Sequence, residues 1–157
     1  MIRFSSLFLL TFLLVGCGST ETDGPPKLEL GRDECAHCGM IISDARYAAA
    51  IIATVEGSRR PLLFDDIGDL LDYEHDHPEL SIQHRYVHDH ATRQWLVADE
   101  ARFVHAPTLH TPMGSGIAAF ASVDQQREAT TSMQGRSVAL AELRQTRAIA
   151  IAAEKKQ

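Results

Sequence analysis

Apolar and polar positions along this chain alternate first at a strand period and then at a helical one, and the whole order occurs twice. Tyr47 to Val55 is a β-leaning apolar run, Glu56-Gly57-Ser58 has turn chemistry, and Pro61 to Phe64 is a second short run, so the pattern predicts a hairpin. Asp65 or Asp66 then stands at an N-cap position ahead of Ile67, Leu70 and Leu71, which share one helical face, and Pro78 lies beyond that helix. Ser81 to His90 alternates as a strand does. The order then returns. Gln94 to Val104 is strand-rich, Gly116 to Phe120 is a short apolar run, and Ser122 opens a helix with Gln125 completing a capping box. Gly135 ends that helix, Arg136 to Leu140 reads as a returning strand, and the alanine-rich segment Ala141 to Lys156 predicts a terminal helix burying Leu143 and Ile149. Phe64-Asp65-Asp66 and Phe120-Ala121-Ser122 occupy equivalent strand-to-helix junctions. The expected fold is therefore α+β, with two similar ββαβ halves in tandem, residues 28–92 and 93–157, and a C-terminal helix in the second.

Ahead of these halves the pattern changes. Arg3, the nine apolar-leaning residues Leu7 to Val15 and small Gly16 lead to Cys17, which reads as a bacterial lipoprotein export signal over residues 1–16. Nine helical residues rise only ~14 Å, well short of the ~20 residues that cross a bilayer, so the leader is not a spanning anchor. The mature chain then begins at Cys17, with its sulfur lipidated and its amine acylated, and more than one acyl chain is what makes such anchoring durable. Residues 17–27 form a polar tether punctuated by Pro25-Pro26. Gly18 is not the aspartate that commonly retains lipoproteins at the inner membrane. The expected location is thus lipid-anchored and facing the periplasm, at the outer membrane in preference to the inner.

Removing the leader takes away one positive charge, Arg3, and leaves 141 residues at a formal charge of −7. That balance argues against nucleic acid as a partner, since nucleic-acid binding needs a basic face. Cys35 and Cys38 are then the only thiols left, in an exported and generally oxidising compartment.

Cys35-Ala36-His37-Cys38-Gly39-Met40 brings two thiols into one turn, and Gly39 permits the bend that carries Met40 toward them. Thiolate with thioether is the ligand pair that selects Cu(I) over harder ions. Zinc would accept the cysteines but wants four strong ligands, and there is no second cysteine pair, though histidines could complete the set. A redox pair normally follows a strand at the start of a helix, and no strand precedes this one. A soft metal is the leading reading, ahead of a disulfide staple, zinc and redox catalysis. Later, Thr108 to Phe120 holds a proline and two glycines, which force an irregular loop, and Met113 on it is either a thioether ligand or a core plug. His75, His77, His84, His88 and His90 also cluster, and His84, Tyr86, His88 and His90 would share one face of a strand. Such a ladder could take up Cu(II) or zinc, although exposed polar strands commonly carry histidines that are only solvated. No nucleophile–base pair is recognisable: Gly114-Ser115-Gly116 lacks the Gly-x-Ser-x-Gly spacing of a nucleophile elbow. The chain does not read as an enzyme.

The lipobox, Asp33-Glu34-Cys35-Ala36-His37-Cys38-Gly39-Met40-Ile41-Ile42 and Thr111-Pro112-Met113-Gly114-Ser115-Gly116-Ile117-Ala118-Ala119-Phe120 together resemble the NosL family, copper-binding lipoproteins associated with assembly of nitrous oxide reductase. The resemblance runs from about Arg32 to Leu143. It implies a periplasm-facing Cu(I) chaperone of two ββαβ halves that collects copper from a membrane transporter complex and passes it to nitrous oxide reductase. The metal ligands it implies are Cys35 or Cys38 with Met40 or Met113, and His37 and His110 are secondary candidates. Two other readings remain, a disulfide-stapled lipoprotein that acts as a partner-binding module and a thiol–disulfide reductant for copper sites.

Overall fold

The computed structural model describes residues 24–154, so the leader, Cys17 and most of the tether lie outside the described residues. Strand β1 (Ala49–Val55) is rich in alanine and β-branched residues and is almost wholly buried, which suits the centre of a sheet. It turns into β2 (Ser58–Phe64) through Glu56 and Gly57, both at positive φ (51° and 77°), the conformation a tight two-residue hairpin needs. Helix α1 (Ile67–Asp76) begins at the N-cap Asp66, whose carboxylate accepts from Gly68 N at 2.7 Å, and ends at His77 just ahead of Pro78. Strand β3 (Ser81–His88) returns antiparallel on the free side of β1, with a one-residue irregularity opposite Ile52 and Ala53.

The second half repeats the topology. Strand β5 (Arg102–His105) is central, β6 (Ile117–Phe120) pairs on one side of it, α2 (Val123–Ser132) follows, and β7 (Arg136–Val138) returns on the other side. Ser122 and Gln125 form the reciprocal capping box expected of them. Gly135 lies three residues past the end of α2, and the left-handed turn is made by Gln134 (φ 52°). A Cβ at Gly135 would come 2.7 Å from Val104 Cγ1 and 2.9 Å from the His105 carbonyl, so close approach to β5 is what requires glycine there.

One strand departs from the simple duplication. β4 (Trp95–Val97) lies beyond the boundary expected near residue 92, yet it hydrogen-bonds to β3 and completes a first sheet of order β2-β1-β3-β4. The chain therefore changes sheets between Val97 and Arg102, because β3 still has a free edge when β4 leaves the turn at Ala91 to Arg93.

The two sheets share a core in which Phe64, Ile67 and Leu70 meet Phe103, Ile117 and Leu143. Leu143 belongs to the terminal helix α3 (Leu140–Glu154), which packs against α1. Ile149 is 64% exposed, contrary to the sequence expectation, and Ile151 is buried in its place. Positions 143, 147 and 151 fall on one helical face, and 149 points away from it. From that inner face Arg147 reaches Asp72 of α1, with its Nε 2.8 Å from Oδ1. Asp89, fully buried after β3, accepts from Thr92 N, Ala121 N and Ala91 N (2.7, 2.7 and 2.9 Å). Burial alone would push its carboxyl up, but these three amides outweigh burial and hold it below its ordinary value. With the His90 N to Ala119 carbonyl bond (2.8 Å), Asp89 fastens the end of β3 to β6.

Candidate metal centre

The thiol loop is a small closed turn laid against the edge of β2. Glu34 and Ile41 form a bridge, Cys35 N donates to the Met40 carbonyl at 2.8 Å, and Gly39 N donates to the Cys35 carbonyl at 2.9 Å. Gly39 takes φ +73°, the bend its sequence position predicts. Ala36 N donates to the Leu63 carbonyl at 2.7 Å, which ties the loop to β2. The result is a buried Cys35 (3% exposed), a half-buried Cys38, and no bridge between them.

Asp69, in the first turn of α1 and itself buried, faces this loop. Cys35 Sγ lies 3.2 Å from its Oδ2 and His37 Nδ1 lies 3.4 Å from its Oδ1. Ligand atoms of Cys35, Cys38 and Asp69 all fall within 4.8 Å of one another, and His37, Asp69 and Asp72 form a second such group. Asp72 is already engaged by Arg147, so the second group has a cation in place. Desolvation pushes the Cys38 thiol up to about 12. The Met40 amide pulls it down, and bonding to Cys35 and the charge on Asp69 add to the rise. Near neutral pH that thiol is protonated and a poor nucleophile, which counts against the thiol–disulfide reductant.

The two methionines are at the surface. Met40 is 53% exposed and Met113 is 42% exposed, so Met113 is not a core plug. Its loop is wound around the carboxylate of Asp66, which accepts from Thr111 Oγ1 (2.5 Å), Met113 N (3.1 Å) and Ser115 Oγ. The thiol loop and the Met113 loop thus rest on the same turn of α1, at Asp69 and Asp66. His110 is exposed near the start of the second loop.

A sequence profile of the NosL family matches residues 28–148, which takes in both loops and all of α1. This chain belongs to the NosL family. Among solved structures, the crystal structure of the copper chaperone NosL from Shewanella denitrificans superposes with a TM-score of 0.61 at 22% sequence identity, covering 75% of this chain and 96% of that one. That likeness establishes the α+β fold with its two antiparallel sheets and C-terminal helix. No curated protein sequence matches.

In this NosL chain the histidines of the ladder come together in no group of three or more metal-ligating side chains among the described residues. His88 is buried, packs 3.6 Å from the Trp95 ring and donates from Nδ1 to the Ala48 carbonyl at 3.0 Å. His77 stacks on Tyr73 at 4.0 Å, His90 lies beside Tyr47 and Phe120, and His75 and His84 join no ligand group. The residues that sequence reasoning missed are acidic. Asp69 and Asp72 are buried where the apolar face of α1 was expected, and Asp66 does more than cap. The available signal was the spacing of Asp65, Asp69 and Asp72, an i, i+4, i+7 stripe running alongside Ile67, Leu70 and Leu71.

Proposed function

We propose that this chain is a copper-binding chaperone that takes up Cu(I) on Cys35 and Cys38 and carries it without performing catalysis. The observation that carries this reading is the pairing of two unbridged thiols in one turn beside an exposed thioether, Met40, on the same loop. Two thiolates and a thioether are soft donors, and a monovalent soft ion gains from them what zinc would not. Met113 supplies a further thioether from the second loop. His37 is held by Asp69 and His110 stands in solvent, so both are secondary to the sulfur ligands.

Delivery fits the exposure of the ligands better than storage does. Cys35 is enclosed, but Met40 and Met113 stand at the surface, where an incoming ligand can replace either one at a time. In this reading Cys17 carries the lipid that anchors the chain facing the periplasm, at the outer membrane in preference to the inner. A membrane transporter complex supplies the copper, and nitrous oxide reductase receives it.

The test is competition against a Cu(I) chelator, with the purified chain reduced and free of oxygen. About one ion per chain is expected in the parent, and Cys35→Ser/Cys38→Ser should lose the binding. Equal affinity in that double variant would move the site elsewhere.

A further inference from the structure

We infer that Asp66 is the positioning residue of the copper site, because its carboxylate fixes where Met113 stands relative to Cys35 and Cys38. The inference rests on the reading of Met113 as a copper ligand. Capping a helix needs one carboxylate oxygen, and Gly68 N at 2.7 Å from Oδ1 satisfies that need. Asp66 nevertheless accepts three further hydrogen bonds, from Thr111, Met113 and Ser115, all on one loop of the other half. The carboxylate is 0% exposed, so no water substitutes for these donors.

The loop is built to meet it. Thr111 Oγ1, which donates to Asp66, accepts from Gly116 N at 3.3 Å, and Ser115 Oγ accepts from Ile117 N at 3.2 Å. Gly116 takes φ +65° with the Ala106 carbonyl oxygen 2.5 Å from where a Cβ would lie, so the loop can close only with glycine there. Within this turn the Met113 backbone is fixed by its own amide on Asp66, and its side chain is left at the surface.

One turn along the same helix, Asp69 holds Cys35 Sγ at 3.2 Å. Residues three apart on a helix are surface neighbours, with Cβ atoms ~5–6 Å apart. The first turn of α1 is therefore a common base for both loops, and the separation between the Met113 backbone and the thiol loop is set by a helix instead of by two independent loops. Outer partners of this kind orient metal ligands, and their removal typically lowers metal affinity about 10- to 100-fold.

The test uses the full-length chain extracted in detergent, with three substitutions: Asp66→Asn, Thr111→Val and Met113→Ala. Thr111→Val removes one loop donor and keeps the Asp66 carboxylate and its Gly68 bond, so it decides the matter if Asp66→Asn fails to fold. Expected are a fall in Cu(I) affinity of about 10- to 100-fold for Thr111→Val, and no further fall when it is combined with Met113→Ala. A role in stability alone would add to the Met113→Ala loss in full. In the metal-free protein labelled at its methionine methyls, Thr111→Val should also narrow the Met113 NMR signal and leave that of Met133 unchanged. If Met113→Ala weakens copper binding but Thr111→Val does not, or if their losses add, the positioning role is overturned and the copper reading stands. If Met113→Ala leaves copper affinity intact, Met113 is no ligand and the inference falls with it.

Discussion

Gly68→Ala is a substitution that helix propensity alone would favour, by about 1 kcal/mol for an exposed helical glycine. Here the added carbon would lie 2.5 Å from Ser115 Cβ, 3.2 Å from Asp66 Oδ1 and 3.3 Å from Ser115 Oγ. Carbon atoms rest at ~3.5–4.0 Å, so the Ser115 Cβ has to retreat by roughly 1 Å or more. It cannot do so by rotating, because it is bonded directly to the loop backbone. Overpacking of this kind costs about 1–3 kcal/mol. The retreat also stretches the Ser115 hydroxyl bond to the Asp66 carboxylate, a class of bond worth about 1.5–3 kcal/mol. Set against the propensity gain, a net loss of about 1.5–5 kcal/mol is expected, which lowers the melting temperature by roughly 5–15 °C for a folded body of this size. Thermal denaturation of the metal-free, reduced protein followed by circular dichroism measures it. Ser115→Gly removes the obstructing carbon, so Gly68→Ala should be less damaging in that background than in the parent. A rise in melting temperature for Gly68→Ala alone would mean that the loop does not press on α1, and the reasoning about the shared base would be wrong.

Asp72→Asn should loosen α3 from α1, because Arg147 loses a charged partner at a largely buried contact; a loss of about 1–3 kcal/mol in urea denaturation is expected, and an unchanged midpoint would refute it. Burial depresses His88, His90 and His105, so below about pH 6.5 the unfolded chain binds more protons than the folded one and stability is lost as pH falls. Asp65, which burial pushes up, acts with the opposite sign; the measured quantity is therefore the drop in urea midpoint from pH 7.5 to 5 in the parent compared with His88→Asn, where it should be smaller, and equal drops would acquit His88. Cys17→Ala should abolish incorporation of radiolabelled lipid and move the chain out of the membrane fraction, without changing Cu(I) affinity; label retained on the variant would rule out the lipobox.

Much of the fold could be read in advance because its signals are local. The Glu56-Gly57 turn, the Asp66 cap and the Ser122–Gln125 box each depend on a few adjacent residues, and each forms where the pattern put it. What could not be read depends on partners far along the chain. Nothing within Trp95-Leu96-Val97 says that its strand pairs backwards to β3, and the alanine-rich α3 has too uniform a pattern to show that Ile149 faces out. The site divides in the same way. Cys35, Cys38 and the Gly39 bend are legible as a motif, whereas Asp69 looks like an ordinary first-turn acid until Cys35, 34 residues earlier, is found against it. Asp66 is hidden further, since its capping role fully accounts for it at the level of sequence while three of its donors come from residues 111–115.

The bond from Ala36 N to the Leu63 carbonyl has a meaning beyond placing the thiols. β2 is an outermost strand, and an outermost strand with open amides and carbonyls is a template for another chain. In an antiparallel strand alternate residues direct both backbone groups outward, so Arg59 and Pro61 share the outward side with Leu63. Proline offers no amide there, Arg59 adds charge, and Ala36 occupies the Leu63 carbonyl. The thiol loop thus covers part of an open strand edge, and a variant that frees the loop from β2 is expected to aggregate more readily than the parent even when copper is absent.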